Sequence, residues 1–454
     1  MISFLPIGGG NEIGANSYYL NFNGNGVILD CGIHPQKTGI ESLPNFDLLK
    51  DKPVDYCLIT HAHQDHIGSL PFLVKRFPYV KIITTPQTRA LAELTLHNSV
   101  SILKKEIEEN DFEIYSHDEV DLLIKMIDYN EYQNEFELNS YHQSKDAKVK
   151  CTFYDAGHIL GSAGILLENN NHKIFYSGDI NFTAQTLLSG ANLPETKIDT
   201  LILETTYGAT DSELLLDWNS ESFRFAKEVN KILNNGGSIL IPVFSLGKMQ
   251  EILATIWQLM QKQKLTTVDI YTGGLGTKIN LAYDYNRFVV KRVDEEFELN
   301  TIPQKDYYEI SGPEEFFKHP CIVLASSGMM IKGTSSFTFA KRWLKQKDSA
   351  IFTVGYMDIE TPGYIIANSE RGDKIQLTEF DELTEVNCVI KNFKFSAHAR
   401  REDLLKIVDK LKPKNVILIH GEVEAVDWMG ASILKKYKKI KIHTAILGKE
   451  VKFF

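Results

Sequence analysis

The chain has 454 residues, of which 43% are hydrophobic and 24% charged, and it carries a formal net charge of −10 at pH 7. These are ordinary globular values, the length predicts two domains, and no apolar run approaches the ~18 residues of a membrane span. The acidic balance argues against a broadly basic nucleic-acid surface, although a local groove or bound cations can still attract a polyanion.

The start, Met1–Gly14, has neither a basic n-region nor a long apolar core, so no secretory signal is expected. Gly24-Asn25-Gly26 predicts a hairpin turn between strands Ser17–Phe22 and Val27–Asp30. Strands follow at Val54–Thr60 and Lys81–Thr84, with a helix at Gly68–Phe77 between them. A long helix is predicted over Thr88–Glu109, and an acidic helical stretch to about Tyr132. Strands then recur at Lys148–Ala156, Gly164–Glu168, Lys173–Gly178 and Thr200–Glu204. Beyond this point strands and helices alternate, which indicates a parallel α/β sheet. The helices are Trp218–Leu233, Lys248–Gln261, Ile279–Asn286 and Ser336–Lys345, and the strands Ser238–Pro242, Val268–Tyr271 and Cys321–Ala325. From about Val386 strand signals return, with a helix at Arg401–Leu411 and a strand at Val416–His420. The expectation is one β-rich α/β domain interrupted by a second. Five cysteines (Cys31, Cys57, Cys151, Cys321, Cys388) are widely spaced with no C-x-x-C, as expected of reduced thiols in a cytoplasm.

Function concentrates after the run Cys57-Leu58-Ile59. His61, His63, Asp65 and His66 crowd one loop, although His and Asp are poor core residues unless paired or bound. Further candidates stand at predicted strand ends, where a rigid scaffold can aim them: Asp30, His158, Asp179 and His420. Singly, each has a bland explanation as a turn former, a cap or a satisfied histidine. Together they offer ligands for two zinc-like ions, with manganese as a competitor. One ion would take His61, His63 and His158, the other Asp65, His66 and His420, with Asp179 bridging.

The strand–HAHQDH–helix loop, with His158, Asp179 and His420, resembles the metallo-β-lactamase fold. The chain is more specifically similar to the β-CASP family, the nucleases of RNA processing and DNA repair. Glu204 in LILETTYG, His398 in FSAHARRE and His420 in LIHGE match family positions, as do PVFSLGKMQEIL, ASSGMMIKGTSS and VGYMDIETPGY. The resemblance implies an α/β fold: an αββα sandwich with an inserted parallel α/β β-CASP domain. On that basis residues 1–208 and 386–454 form the metallo-β-lactamase domain and 209–385 the insert. The N-terminal KH-like extension and C-terminal domain of some relatives are not expected.

The implied chemistry is hydrolysis of phosphodiester bonds in single-stranded RNA by a hydroxide held between two zinc ions. His398 is the expected general acid, oriented by Glu204. Asp65 and Asp30 are counted with them as catalytic. Ser327, Gly328 and Met329 would form an anion nest, with Lys248 and Ser396 as further substrate contacts. Lys332, Arg400 and Arg401 could line the RNA path. Three alternatives stay open: a DNA nuclease of the same family, a small-molecule hydrolase of thioesterase or lactonase type, and a metal-free scaffold subunit. An apolar residue in place of His420 would favour DNA, and a missing ligand would favour the scaffold. No membrane partner is expected. Homo-oligomerisation and protein partners are left open.

Overall fold

Several strands of this chain are buried along their whole length: Asn25–Leu29, Tyr56–Leu58 and Thr200–Glu204 have no exposed position. Such strands need a covering layer on each face. A computed structural model supplies those layers and describes residues 2–453 apart from 23, 107–114, 140–147 and 170. The chain divides into two units. Unit 1 comprises Met1–Thr183, Gly190–Leu214 and His398–Phe454, and unit 2 comprises Ala184–Ser189 and Leu215–Ala397.

Unit 1 is built on two seven-stranded sheets. In the first the order is Val451–Phe453, Ile2–Gly8, Ser17–Phe22, Asn25–Leu29, Tyr56–Leu58, Lys81–Thr84 and Ile127–Tyr129. Pairing is antiparallel as far as Asn25–Leu29 and parallel beyond it. The second runs Lys441–Thr444, Asn415–Ile419, Thr200–Glu204, Lys173–Tyr176, Ala163–Glu168, Val149–Asp155 and Phe136–Leu138. Here the first four strands are mutually parallel.

The period of two along each strand sorts its side chains into separate cores. Ile202, Ile417 and Ile419 join Phe4, Tyr18, Leu20, Leu29 and Leu58 in the core containing residues of both sheets. Their neighbours Leu201, Leu203, Val416 and Leu418 pack with Leu404, Ile407, Leu411, Met429 and Ile433, from helices Arg401–Leu411 and Val423–Lys436. On this arrangement the strand C-termini, where loops are free to carry chemistry, collect the candidate residues.

Unit 2 contains a six-stranded, wholly parallel sheet in the order Lys305–Asp306, Asp269–Thr272, Cys321–Ala325, Ile239–Pro242, Ala350–Thr353 and Val389–Asn392. Val389–Asn392, which the sequence reading places in the returning first domain, pairs here with Ala350–Thr353.

The structure differs locally from these expectations in three places. The helix expected over Gly68–Phe77 forms at Leu70–Arg76, and Gln64–Ile67 makes a separate turn of its own. The acidic helix ends at Met126, because Ile127–Tyr129 leaves it to pair with Ile82–Thr84. The long helix runs over Pro86–Glu106, and the acidic run from residue 107 to 111 lies outside the described residues.

Candidate active site

The HAHQDH loop gets its shape from backbone pairing with the segment after Asp30. Cys31 N–H donates to the His66 carbonyl (2.7 Å), Ile33 N–H to that of Gln64 (2.9 Å), and Asn16 N–H to that of Asp65 (2.9 Å). Asp65 and His66 ride on the short turn Gln64–Ile67, while His61 and His63 precede it. His158 sits in the loop after Val149–Asp155, where the Ser162 hydroxyl accepts from the His158 and Ile159 N–H groups. Asp179, Glu204 and His420 follow or end strands of the second sheet. Asp30 and His420 adopt left-handed backbone angles, φ 58° and 49°. Non-glycine residues held there cost of order 1–3 kcal/mol each, and such strain gathers at functional positions.

Two donor groups result. His61, His63, His158 and Asp179 converge, and so do Asp65, His66 and His420. In the first, His61 Nε2 and His158 Nε2 lie 3.1 and 3.2 Å from His63 Nδ1. Asp179 Oδ2 is 3.6 Å from His61 Nε2 and 3.7 Å from His158 Nε2. In the second, Asp65 Oδ2 lies 3.5 Å from His66 Nε2 and 3.4 Å from His420 Nε2. Asp179 Oδ2 is also 3.6 Å from His66 Nε2, so this oxygen faces both groups.

These donors fit a metal of the zinc type. Four ligands at 2.0–2.1 Å in a tetrahedron stand about 3.3 Å from one another, close to the spacings here. Among the described residues the buried His420 Nε2 has no hydrogen-bond partner, although Asp65 Oδ2 lies 3.4 Å from it. An orphaned imidazole nitrogen in a buried site asks for a partner.

The electrostatics agree. Burial, followed by the neighbouring imidazoles, holds His61 well below its ordinary pKa, as a neutral donor. Burial would also lower His66 and His420, but Asp179 foremost, with Asp65 also contributing, overrides it and lifts His420 to about 10. Burial would raise Asp65 and Asp179, yet His66 and His420 hold both carboxyls below the usual range. A cation entering the second group therefore competes with protons, so its affinity falls as pH falls.

Asp30 is placed behind the donors. Its carboxylate contacts His66 Nδ1 (2.8 Å), accepts from the Thr60 N–H and hydroxyl, and accepts from Tyr176 OH (2.6 Å). Its role is to orient His66 and fix its tautomer.

Beside the donors stands a third pair. His398 Nδ1 lies 3.1 Å from Glu204 Oε2, with Glu204 wholly buried and the His398 side chain 20% exposed. Burial would push His398 down, but Glu204 outweighs it and holds the imidazole above its ordinary pKa. The other bonds of Glu204 come from Ile180 N–H (2.6 Å) and the Thr206 hydroxyl (2.5 Å). The N-cap of the following helix is Arg400, so a capping role does not account for His398.

The remaining candidates lie in unit 2, apart from Arg400 and Arg401 in unit 1. Ser327 receives the Met330 N–H and the Ser336 hydroxyl on its carbonyl, while Gly328 and Met329 donate no backbone bond among the described residues. Lys248 donates to the Phe395 carbonyl, one residue ahead of Ser396. Arg401 is engaged by Asp211 and Glu402 and lies over the Trp428 ring. Lys332 lies over the exposed Phe380 ring.

Sequence reasoning missed Asn16, Thr206 and Gly32. Asn16 Nδ2 donates to Asp65 Oδ2 (3.3 Å), and its amide is aimed by Tyr18 OH (2.9 Å). Thr206 Oγ1 serves Glu204 and lies 3.2 Å from His420 Nδ1. The ETT run in LILETTYG is the sequence signal that points to Thr206.

The chain is similar to known proteins. Residues 19–206 match the metallo-beta-lactamase superfamily domain, 249–366 the Beta-Casp domain, and 384–445 the Zn-dependent metallo-hydrolase RNA specificity domain. The chain is 30% identical over 455 residues to cleavage and polyadenylation specificity factor subunit 3 of Dictyostelium discoideum. That alignment covers 98% of this chain but only 56% of that longer protein. It is also 30% identical to an RNase J-like protein of Methanocaldococcus jannaschii, over 91% of both chains. Among solved structures, a protein of unknown function from Enterococcus faecalis V583 superposes with a TM-score of 0.54 at 13% identity, over 99% of both chains, a likeness of fold.

Gly32 offers a direct test of how the loop is held. A Cβ there would stand 1.6 Å from the Asp65 carbonyl oxygen and 2.7 Å from His66 N. Gly32→Ala must push the HAHQDH loop away, an overpacking of roughly 1–3 kcal/mol. Lower thermal stability and reduced metal content are expected together. Full metal content with unchanged melting would show that this contact does not set the loop.

Proposed function

The chain belongs to the β-CASP family of metallo-β-lactamase-fold proteins, and from that premise we propose that it is a metal-dependent ribonuclease hydrolysing phosphodiester bonds of single-stranded RNA. The observation that carries this reading is the juxtaposition of seven metal-type donors with a histidine–carboxylate pair that shares no atom with them. Substrate class is supported by the match of residues 384–445, which include His398 and His420, to an RNA specificity domain. The name of the archaeal RNase J-like relative points the same way.

One zinc ion would be held by His61, His63 and His158 and a second by Asp65, His66 and His420, with Asp179 facing both groups. When bound, the ions lower the pKa of water to make a nucleophile at neutral pH and neutralise charge on the phosphoryl group. The chain's own residues do the rest. Asp30 and Thr60 hold the His66 ring, and Asn16 steadies the Asp65 carboxylate. Glu204 occupies Nδ1 of His398 and keeps the ring protonated, so Nε2 hands the proton to the leaving oxygen. The exposed fifth of the His398 side chain lets a substrate reach it.

Three measurements test this reading. Metal analysis of the purified protein is expected to give about two zinc per chain, with loss in His63→Ala and in Asp65→Ala. Full occupancy in both variants would sink the ligand assignment.

His398→Ala is expected to keep its metals and lose about 10²- to 10⁴-fold in turnover, the range of a lost general acid. A metal-depleted variant would make His398 a ligand and overturn its role.

Single-stranded RNA should be cut faster than single-stranded DNA of the same sequence in a side-by-side assay, with duplex RNA, a thioester and a lactone alongside. Product-end sequencing then tells internal from terminal cutting. Binding should weaken with salt, but modestly, because a chain of net charge −10 has few basic contacts to release counterions from the RNA. Faster cutting of DNA would favour a repair-type nuclease, and turnover of the small esters alone would falsify the nuclease reading.

A further inference from the structure

Lys248 opens the helix Lys248–Gln261, in the segment whose resemblance suggests a phosphate contact. Its surroundings inside unit 2 say something different. Each residue after it in the first turn is committed to internal packing. Gln250 Oε1 accepts from Gly247 N–H (2.8 Å), and Gln250 Nε2 donates to the Gly276 carbonyl (3.1 Å) and Asn280 Oδ1 (3.0 Å). Met249 Sδ lies 1.9 Å from where a Cβ on Gly276 would be, so that glycine exists to admit it. The buried Glu251 carboxylate accepts the N–H groups of Thr186 and Leu187, both at 2.8 Å, and Leu188 at 3.1 Å. A helix end tied in this many directions is a fixed post.

From that post Lys248 Nζ donates to the carbonyl of Phe395. The ammonium lies 5.4 Å from the Trp218 ring centroid, and that ring packs edge-on against Phe395 at 4.9 Å. The residue before it is held as well, since Lys394 N–H donates to Glu221 Oε1 (2.5 Å). Phe225 packs on both Phe393 and Phe395, at 5.1 and 5.7 Å. Thus 393–395 is gripped at consecutive residues within unit 2. On the other side of His398, the Ala399 N–H donates to the Ile180 carbonyl (2.7 Å) within unit 1. Between the two anchors lie Ser396, Ala397 and His398, a stretch of chain that reaches about 10 Å at full extension. An anchor this near in the chain constrains where the His398 backbone can be.

We infer that Lys248 is a positioning residue for the general acid: by holding the Phe395 carbonyl it fixes the entry of the chain into His398, and it does not serve as a phosphate contact. This rests on the proton-donor role of His398 proposed above. Burial pushes the Lys248 ammonium down to about 8 and the Glu251 carboxyl up to about 7, so both groups are kept against a desolvation cost.

The experiment compares wild type, Lys248→Met and His398→Ala on single-stranded RNA and on bis(p-nitrophenyl) phosphate, whose leaving group needs no proton. Zinc content and thermal melting are measured on each protein. For Lys248→Met the expected result is retained zinc, kcat on RNA reduced by about 10- to 100-fold, KM within about 3-fold, and little change on the nitrophenyl diester. A displacement of about 1 Å is enough for a loss of that size. A raised KM with kcat retained would mean a phosphate contact, and equal losses on both substrates would mean a general structural role; either overturns the inference. Should wild type ignore the nitrophenyl diester, the split between kcat and KM on RNA decides alone. Should Lys248→Met not fold, Lys248→Gln, too short to reach Phe395, replaces it. Absence of RNA cleavage by wild type would count against the ribonuclease reading itself, whereas an intact wild type with a KM-only effect counts against Lys248 alone.

Discussion

Three imidazole nitrogens and a carboxylate oxygen lying within 4.8 Å of one another compete for the same few protons, and the structure has to pay to assemble them. Most of what surrounds them is legible as the means of holding that set together. Asp30 and His420 take left-handed backbone angles at strand ends, and Gly32 leaves room for the Asp65 carbonyl. Thr60, His66 and Tyr176 all converge on the one Asp30 carboxylate. The scaffold pre-forms the site, so a cation meets oriented ligands and little ordering is left to be done on binding.

The sandwich explains how such a set can be reached. Parallel strands put their C-termini on one edge, and the residues of the site come from strand ends far apart in sequence: 30, 61–66, 158, 179, 204 and 420. The alternation that sends Ile202 inward and Leu201 and Leu203 outward fixes the register, so the terminal residue of each strand arrives facing the right way.

Those local patterns are also why so much could be read in advance. The HAHQDH loop, His158, Asp179 and His420 each announce themselves by residue type at a strand end, and the long elements such as Lys248–Gln261 and Arg401–Leu411 follow from periodicity. What the sequence hid depends on partners distant in the chain. Asn16 matters only because Asp65 folds back on it, and Gly32 only because the same loop presses on it. Val451–Phe453 is a strand because it pairs with Ile2, Ser3 and Phe4 at the other end of the chain. Lys248 looks like a free cation until Phe395, far along the chain, is brought to it. Val389–Asn392 carries no mark of which sheet it will join.

Glu204 and His398 differ from the two donor groups in how their atoms are already engaged, not in residue type. Asp179, Glu204 and His398 also lie close enough to hold an ion by distance alone. Glu204, however, is fully buried and already accepts from Ile180 N–H and the Thr206 hydroxyl, besides facing His398. A carboxylate so engaged has little capacity left for a cation, and its charge acts instead on the imidazole beside it. His398 is thereby held above its ordinary pKa beside His158, a ring of the same kind that sits in the donor group, with ring centroids 4.5 Å apart. Two histidines in near contact thus face different carboxylates, His158 facing Asp179 and His398 facing Glu204. An acidic chain can in this way present positive charge locally, because buried carboxylates can collect cations and Glu204 holds one imidazole above its ordinary pKa.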